Sequence, residues 1–384
     1  MSTEQSMASS DQIRNKRIAE ILLRVILIIS LLYIFLVGVS VLGGSIKFLG
    51  GGFAKGLLNV TSNPLLALFS GMFATVLFQS SSVTTSIIVG LVASSALPMG
   101  GAIPMVMGAN LGTSVTNTLV SLGYLKNQKH FRDAFAAATV HDIFNILTVI
   151  VLLPIELMTG FLEKNANQIA SVLFGSSSSI SYNSPIKAAI KPVSKGIETI
   201  VVKDLGITGS IGGVILALIA GALIVMALGF IVKTMKAVVE SNKGQIIENL
   251  LAKNGYFAIL FGTLLTISVQ SSSITTSLLV PMAGAGVLSL SSILPVTIGA
   301  NIGTTATALL AALTGNVAGL AIALVHFLFN SMGLIIWYVH PSLRQVPIFL
   351  CNKLADLTLK NRLHGVLYIL GTFFIIPFAL TVVL

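Results

Sequence analysis

Gln79-Ser80-Ser81-Ser82-Val83-Thr84-Thr85-Ser86 returns later in the chain as Gln270-Ser271-Ser272-Ser273-Ile274-Thr275-Thr276-Ser277. Seven of the eight positions are identical, and the eighth exchanges valine for isoleucine. The offset is 191 residues (270 − 79), and a second pair of motifs keeps it. Gly108-Ala109-Asn110-Leu111-Gly112-Thr113 recurs as Gly299-Ala300-Asn301-Ile302-Gly303-Thr304. Pro104 and Pro295, Gly71 and Gly262, and Thr75 and Thr266 fall on the same offset. Two motifs and the spacing between them are copied together, so one structural unit is present twice.

The background of these motifs is apolar. Of the 384 residues 55% are hydrophobic and 9% charged, with a mean hydropathy of +0.97. A soluble domain carries about 25% charged residues. Runs near 20 apolar residues recur, the length a helix needs to cross about 30 Å of hydrocarbon. The composition describes an all-α polytopic membrane protein whose standing partner is the lipid bilayer. The net charge of +10 does not point to nucleic acid, because the basic residues sit in short loops between apolar runs and act as topology signals. The single Cys351 excludes an internal disulfide and a cysteine-based metal cluster.

Positive charge sets the expected path. Residues 1–20 are a polar N-terminal segment, and 21–43 form a retained first span, too long for a signal-peptide core. Arg24, near its start, can snorkel to the interface. Lys126, Lys129 and Arg132 mark one basic loop; Lys233, Lys236, Lys243 and Lys253 a second; Arg344, Lys353, Lys360 and Arg362 a third. The positive-inside rule places all three in the cytoplasm with the N-terminus, in the cell (inner) membrane. Residues 44–160 then hold the first repeat and 161–207 an extracytoplasmic linker, with the flexible composition of Gly175–Ser179. Residues 208–340 hold the second repeat with its preceding span, 341–365 a cytoplasmic loop, and 366–384 a last span. Counting crossings, the cores at 64–122 and 256–313 run in opposite directions. Inverted-topology repeats of this kind place a transporter's site where the repeats meet.

Polar chain at membrane depth persists only when buried in protein or lining water. Each Gln-Ser-Ser-Ser interrupts an apolar run, and arms of about 14 residues span only about 21 Å as helix. Each copy is therefore expected to form a re-entrant helical hairpin, with breaks at the equivalent positions Gly90 and Pro281. The motif side chains are neutral amides and hydroxyls, which both donate to an anion and accept a cation. Helix N-termini add partial positive charge for the anion. A site holding anion and cation together is the reading that suits neutral ligands.

With Gly108–Thr118 and Gly299–Thr307 beside the paired hairpins, the chain resembles the type II sodium/phosphate cotransporter family, in particular its compact bacterial members, over about residues 60–340. The resemblance implies sodium-coupled symport of inorganic phosphate, with no cofactor beyond sodium as coupling ion. It implies a sodium site at Gln270, Ser271, Ser273, Thr304 and Thr307, with Asn110 and Asn301 available to a further sodium. It implies phosphate between the hairpin tips, at Gln79, Ser80, Ser81, Ser82 and Ser272. Unlike the animal members, the chain has a short outer linker and no partner for Cys351. Homodimerisation, transport stoichiometry and the carried protonation state stay open. So do export of phosphate and transport of another oxyanion.

Energetics narrows the stoichiometry. A tenfold gradient with 100 mV, inside negative, releases about 3.7 kcal/mol per sodium, while a phosphate dianion costs about 4.6 kcal/mol to import. At least two sodium ions are then needed. Bland readings exist for other features. Gly108, Gly112, Gly299 and Gly303 in Gly-x-x-x-Gly spacing suit close helix packing. His141, Phe144 and Asn145, echoed by His326, Phe329 and Asn330, suit a scaffold bonding the hairpin backbone, with proton coupling as the alternative. A hydrolase lacks a Ser-His-Asp assembly, and an anion channel lacks a reason for the paired hairpins.

Overall fold

The computed structural model describes residues 2–122, 124, 128–174, 185–239, 254–361, 363–377 and 379, whose regular structure is helical throughout. α1 (Ser2–Ser62) is one continuous helix, so residues 2–20 and the expected first span form a single rod. The first copy of the duplicated unit follows as α2 (Pro64–Phe78), α3 (Ser81–Ala93), α4 (Met99–Gly112) and α5 (Val115–Leu122). Next come α6 (Gln128–Thr159), α7 (Phe161–Phe174), α8 (Pro185–Thr199) and α9 (Gly209–Val239). The second copy is α10 (Gly255–Val269), α11 (Ser272–Ser277), α12 (Leu279–Gly284) and α13 (Leu290–Ala312). α14 (Val317–Leu334), α15 (Pro341–Lys360) and α16 (Leu363–Leu370) complete the chain. Among the described residues five helices are long and apolar enough to cross a membrane, at Leu22–Ser45, His130–Thr159, Gly209–Phe230, Leu290–Ala312 and Val317–Val339.

The two copies start alike because their sequences cap alike. The Asn63 side chain accepts from the amides of Leu65 and Leu66, and Asn254, 191 residues on, accepts from Tyr256 and Phe257. An asparagine N-cap satisfies amides that no preceding turn can reach. α2 then packs on α4, and α10 on α13. The glycines make this possible. A methyl group on Gly108 would overlap the Leu68 carbonyl oxygen, and one on Gly299 that of Ile259. At Gly112 and Gly303 it would lie 2.5 Å from Met72 O and 2.6 Å from Thr263 O. The Gly-x-x-x-Gly spacing is thus a close-packing device here.

Symmetry fails at two places. The expectation of equivalent breaks at Gly90 and Pro281 is corrected: α3 runs unbroken through Gly90, and only the second copy is interrupted, at Leu278. Pro281 cannot donate to the carbonyl four residues back, so the helix on that side is already weakened. Conversely, α4 and α5 are separated at Thr113–Ser114, while α13 is continuous through Thr304 and Thr305.

The segments expected as connections carry structure of their own. Within 161–207 lie α7, α8 and a π-helical turn at Ile200–Asp204. Gly160, at φ +63°, turns α6 into α7. Glu156 accepts from the first amides of α7 at Leu162 (2.5 Å) and Glu163 (3.2 Å), a carboxylate at the positive end of a helix. Residues 341–365 hold α15, tied to α6 where Arg132 reaches Asp356 (2.9 Å) and Asn352 (3.1 Å). Gly175–Ser179, Lys126, Lys243, Lys253 and Arg362 lie outside the described residues, as does most of the last span beyond residue 377.

Candidate functional site

Each Gln-Ser-Ser-Ser builds the same turn. Gln79 ends α2 at φ 52°, ψ 28°, and Gln270 ends α10 at φ 55°, ψ 28°. Left-handed backbone costs a residue with a side chain about 1–2 kcal/mol. The glutamine offsets part of this by donating Nε2–H to the carbonyl three residues back, Val76 O or Ile267 O, at 2.6 Å in both copies. The next serine is extended and caps the following helix: Ser80 Oγ accepts from Val83 N and Ser271 Oγ from Ile274 N, each at 3.3 Å. Threonine pairs then tie the two arms of each turn together, Thr75 to Thr84 at 3.0 Å and Thr266 to Thr275 at 2.8 Å. Each glutamine's Oε1 accepts from a threonine of the second motif, Gln79 from Thr116 (2.8 Å) and Gln270 from Thr307 (2.7 Å). Thr116 and Thr307 are themselves 191 residues apart.

The surroundings of the two tips differ. Gln79 is exposed, whereas Gln270 and Thr307 are buried, at 8% and 1% exposure. What covers them is the other copy: Ser82 Oγ donates to Gln270 O at 3.4 Å and lies 3.4 Å from Thr307 Oγ1. Among the described residues no equivalent bond joins Ser273 to Gln79. A second bridge between the halves is made by Asn117 on α5. Its Nδ2 donates to Thr276 Oγ1 (2.8 Å), and its Oδ1 accepts from Ser277 Oγ (2.9 Å). This bridge has no twin, because the position 191 residues beyond Asn117 is Ala308. The break before α5 and the break after α11 fall beside it.

Behind the tips a buried polar chain crosses between the halves. His141 Nε2 on α6 lies 2.5 Å from Asn301 Oδ1, and His326 Nε2 on α14 lies 3.3 Å from Asn110 Oδ1. Asn301 donates to Asn145 Oδ1 (2.8 Å), and Asn145 donates to Asn110 O (3.2 Å). The histidines therefore do act on the duplicated motifs, but through the side chains of the two asparagines rather than through the hairpin backbone. His141 Nδ1 and His326 Nδ1 have no partner. Asp142, next to the first histidine, accepts from the Tyr368 hydroxyl at 3.0 Å.

Of the residues singled out from sequence, the fold brings Ser82, Gln270 and Thr307 into one buried group. Ser81 and Ser272 are buried beside it in the first turns of α3 and α11, and Thr304 bonds back to Ala300 O at 3.0 Å. Ser271 and Ser273 are half-buried at the second tip, Ser80 at the first. Gln79 turns to Thr116 instead of the group, and Asn110 and Asn301 turn to the histidines. Asn117, Thr116, Thr276 and Ser277 join the site beyond the residues expected from sequence. The signal for Thr116 was the 191-residue offset from Thr307; for Asn117 nothing local announces a partner 159 residues away. Groups of three or more His, Cys, Asp or Glu that could hold a metal do not occur among the described residues. The donors at the centre are neutral oxygens, suited to a hard monovalent cation or, through hydroxyls and amides, to an anion.

An apolar body with five helices long and apolar enough to cross a membrane thus surrounds a neutral, buried, oxygen-rich centre. The sequence model described as Na+/Pi-cotransporter matches residues 34–179 and 223–350, and the chain belongs to that family. Sodium-dependent phosphate transport protein 2A of Rattus norvegicus is 34% identical over 429 residues, covering 93% of this chain and 67% of that protein. Sodium-dependent phosphate transport protein 2B of Homo sapiens is 34% identical over 443 residues, covering 92% and 64%; the same protein of Pongo abelii gives 34% over 444 residues, 92% and 64%. The chain thus spans about two thirds of the length of these relatives. No solved structure matches it.

Proposed function

We propose that the chain is a sodium-coupled symporter that takes up inorganic phosphate across the cell membrane by alternating access. One observation carries this reading: Ser82 meets Gln270 and Thr307, 188 and 225 residues further on, in a buried group of uncharged donors and acceptors. Neutral ligands suit co-transported ions whose charges offset each other, and the meeting of the two copies supports a site between repeats. In this reading α2–α3 and α10–α11–α12 are re-entrant hairpins, since the 15-residue arms α2 and α10 reach only about 22 Å as helix. The copies within 44–160 and 208–340 run in opposite directions, with the N-terminus in the cytoplasm.

Sodium is held by Gln270, Ser271, Ser273, Thr304 and Thr307, and phosphate by Gln79, Ser80, Ser81, Ser82 and Ser272, with the N-terminus of α3 favouring the anion. Asn110 and Asn301 serve a further sodium, Asn301 through the Oδ1 lone pair that His141 leaves free and Asn110 by giving up the 3.5 Å contact that Asn330 Nδ2 makes to its Oδ1 beside His326. At least two sodium ions accompany a dianion, from the gradient energetics above.

Labelled phosphate uptake into proteoliposomes, with an inward sodium gradient against potassium, tests the proposal. Sodium-dependent accumulation lost in Gln270→Ala is expected. Phosphate movement indifferent to sodium would replace symport by a channel or by proton coupling. Absence of movement in folded protein would move the substrate to another oxyanion, and accumulation only against outward sodium would reverse the direction.

A further inference from the structure

Two cavities outside the central group lie beside corresponding parts of the two copies, and their charges differ. One, of about 380 Å³, is lined by α12, the start of α13 and Arg132 with Asp133. Its arginine is neutralised twice, by Asp133 and Asp356, each at 2.9 Å. The other, of about 350 Å³, is walled by α1, the end of α3 at Gly90 and Ser94, α8, and the turn after α13 at Thr314–Asn316. It carries Lys191 and Lys195, one helical turn apart on α8, against a single acidic residue, Glu198. Among the described residues neither lysine is in an ion pair.

The lysine cavity is built rather than incidental. Ser40 Oγ on α1 donates to Ser194 Oγ at 3.1 Å, and the Tyr33 hydroxyl donates to Ala189 O at 3.0 Å, so α8 is fixed against α1 between and beside the two lysines. Its floor reaches Gly90 on α3 and Ala311 on α13. These lie about 12 Å along α3 from Ser82 and about 6 Å along α13 from Thr307. The cavity therefore lies farther along the two helices that carry Ser82 and Thr307, with α8 as another of its walls.

We propose that this cavity is a vestibule that binds the phosphate group of inorganic phosphate before it reaches the hairpin tips. Lys191 and Lys195 supply the charge, and the hydroxyl and amide groups of Ser94, Thr314 and Asn316 complete the lining. Ammonium groups attract phosphate as point charges, and a mouth with an excess of positive charge, here two lysines against Glu198, raises the local concentration of anions. Such charges set capture on one face and leave net direction to the gradients. The vestibule role rests on the proposed phosphate site, so the test reads the cavity itself, with or without transport.

The Cβ of Gly43 would enter open space, so Gly43→Cys places a thiol in the cavity; Ser94→Cys is a second position should the first misfold. Cys351 is buried and gives the background rate in the unsubstituted protein. Reaction of the full-length protein with anionic and cationic methanethiosulfonates is compared with their rates on a free thiol. The anionic reagent is expected to be favoured about tenfold, the low end of electrostatic focusing. Inorganic phosphate is expected to slow the reaction, and Lys191→Gln/Lys195→Gln to abolish both effects. Equal rates for the two reagents, or phosphate without effect, would overturn the proposal. Slowing by phosphatidylglycerol vesicles but not by inorganic phosphate would assign the cavity to lipid headgroups and overturn it as well. Slowing by phosphate in a protein that does not accumulate phosphate would uphold the cavity and sink the symport reading instead.

Discussion

The bridge that Asn117 makes between the copies, which has no symmetric twin, gives the sharpest test of the packing. Asn117 bonds Thr276 and Ser277 in a buried setting, whereas Thr85, the counterpart of Thr276, bonds only carbonyls of its own helix, Ser81 O at 2.8 Å and Ser82 O at 3.4 Å. Interhelical hydrogen bonds in membrane proteins average about 0.6 kcal/mol and reach about 1.7. Asn117→Ala removes both partners and should cost about 1–2 kcal/mol. Thr276→Val removes one and should cost about 1 kcal/mol, while Thr85→Val should cost a few tenths at most. The Asn117→Ala/Thr276→Val double variant should fall short of additivity by about 0.6–1.7 kcal/mol, about a three- to eighteenfold factor in an unfolding equilibrium. Reversible unfolding in mixed detergent–SDS micelles measures all four. If Thr85→Val proves as costly as Thr276→Val, or the cycle is additive, Asn117 is not what couples the first copy to α11.

Gly299→Ala should destabilise strongly, because its methyl would overlap the Ile259 carbonyl, whereas Gly221→Ala in α9 meets nothing within 4 Å and should gain about 0.5–1 kcal/mol; thermal unfolding compares them. His141→Leu leaves Asn301 Oδ1 without its imidazole and should cost about 1–3 kcal/mol, with His141→Gln, which keeps an N–H donor, regaining part of the loss; equal penalties for the two variants would remove the histidine from the asparagine's support. Asp356→Asn should change unfolding by less than about 1 kcal/mol, since Arg132 and Asp356 are partly exposed and the arginine keeps Asp133.

Much of the architecture was legible in the chain. Apolar runs near 20 residues announce helices in a bilayer, because helix formation depends on residues within one or two turns. The duplication told which residues correspond, and the correspondence held for the caps at Asn63 and Asn254, the left-handed glutamines and the Gln–Thr bonds. Glycine spacing correctly announced close helix packing. The helices within 161–207 and 341–365 were hidden because loop-like charge and low complexity mask amphipathic stretches such as the one exposing Lys191 and Lys195.

What sequence by itself determined is therefore a membrane protein with one helical unit written twice, and the neutral chemistry of its motifs. Tertiary structure decided how the copies differ. Two nearly identical motifs carry no local signal of which will be covered, so only packing could leave Gln79 exposed and bury Gln270 under Ser82. The crossed pairs His141–Asn301 and His326–Asn110, and the unmatched Asn117–Thr276, join residues 159 to 216 apart. Such contacts depend on where whole helices settle against one another, which no window of neighbouring residues encodes.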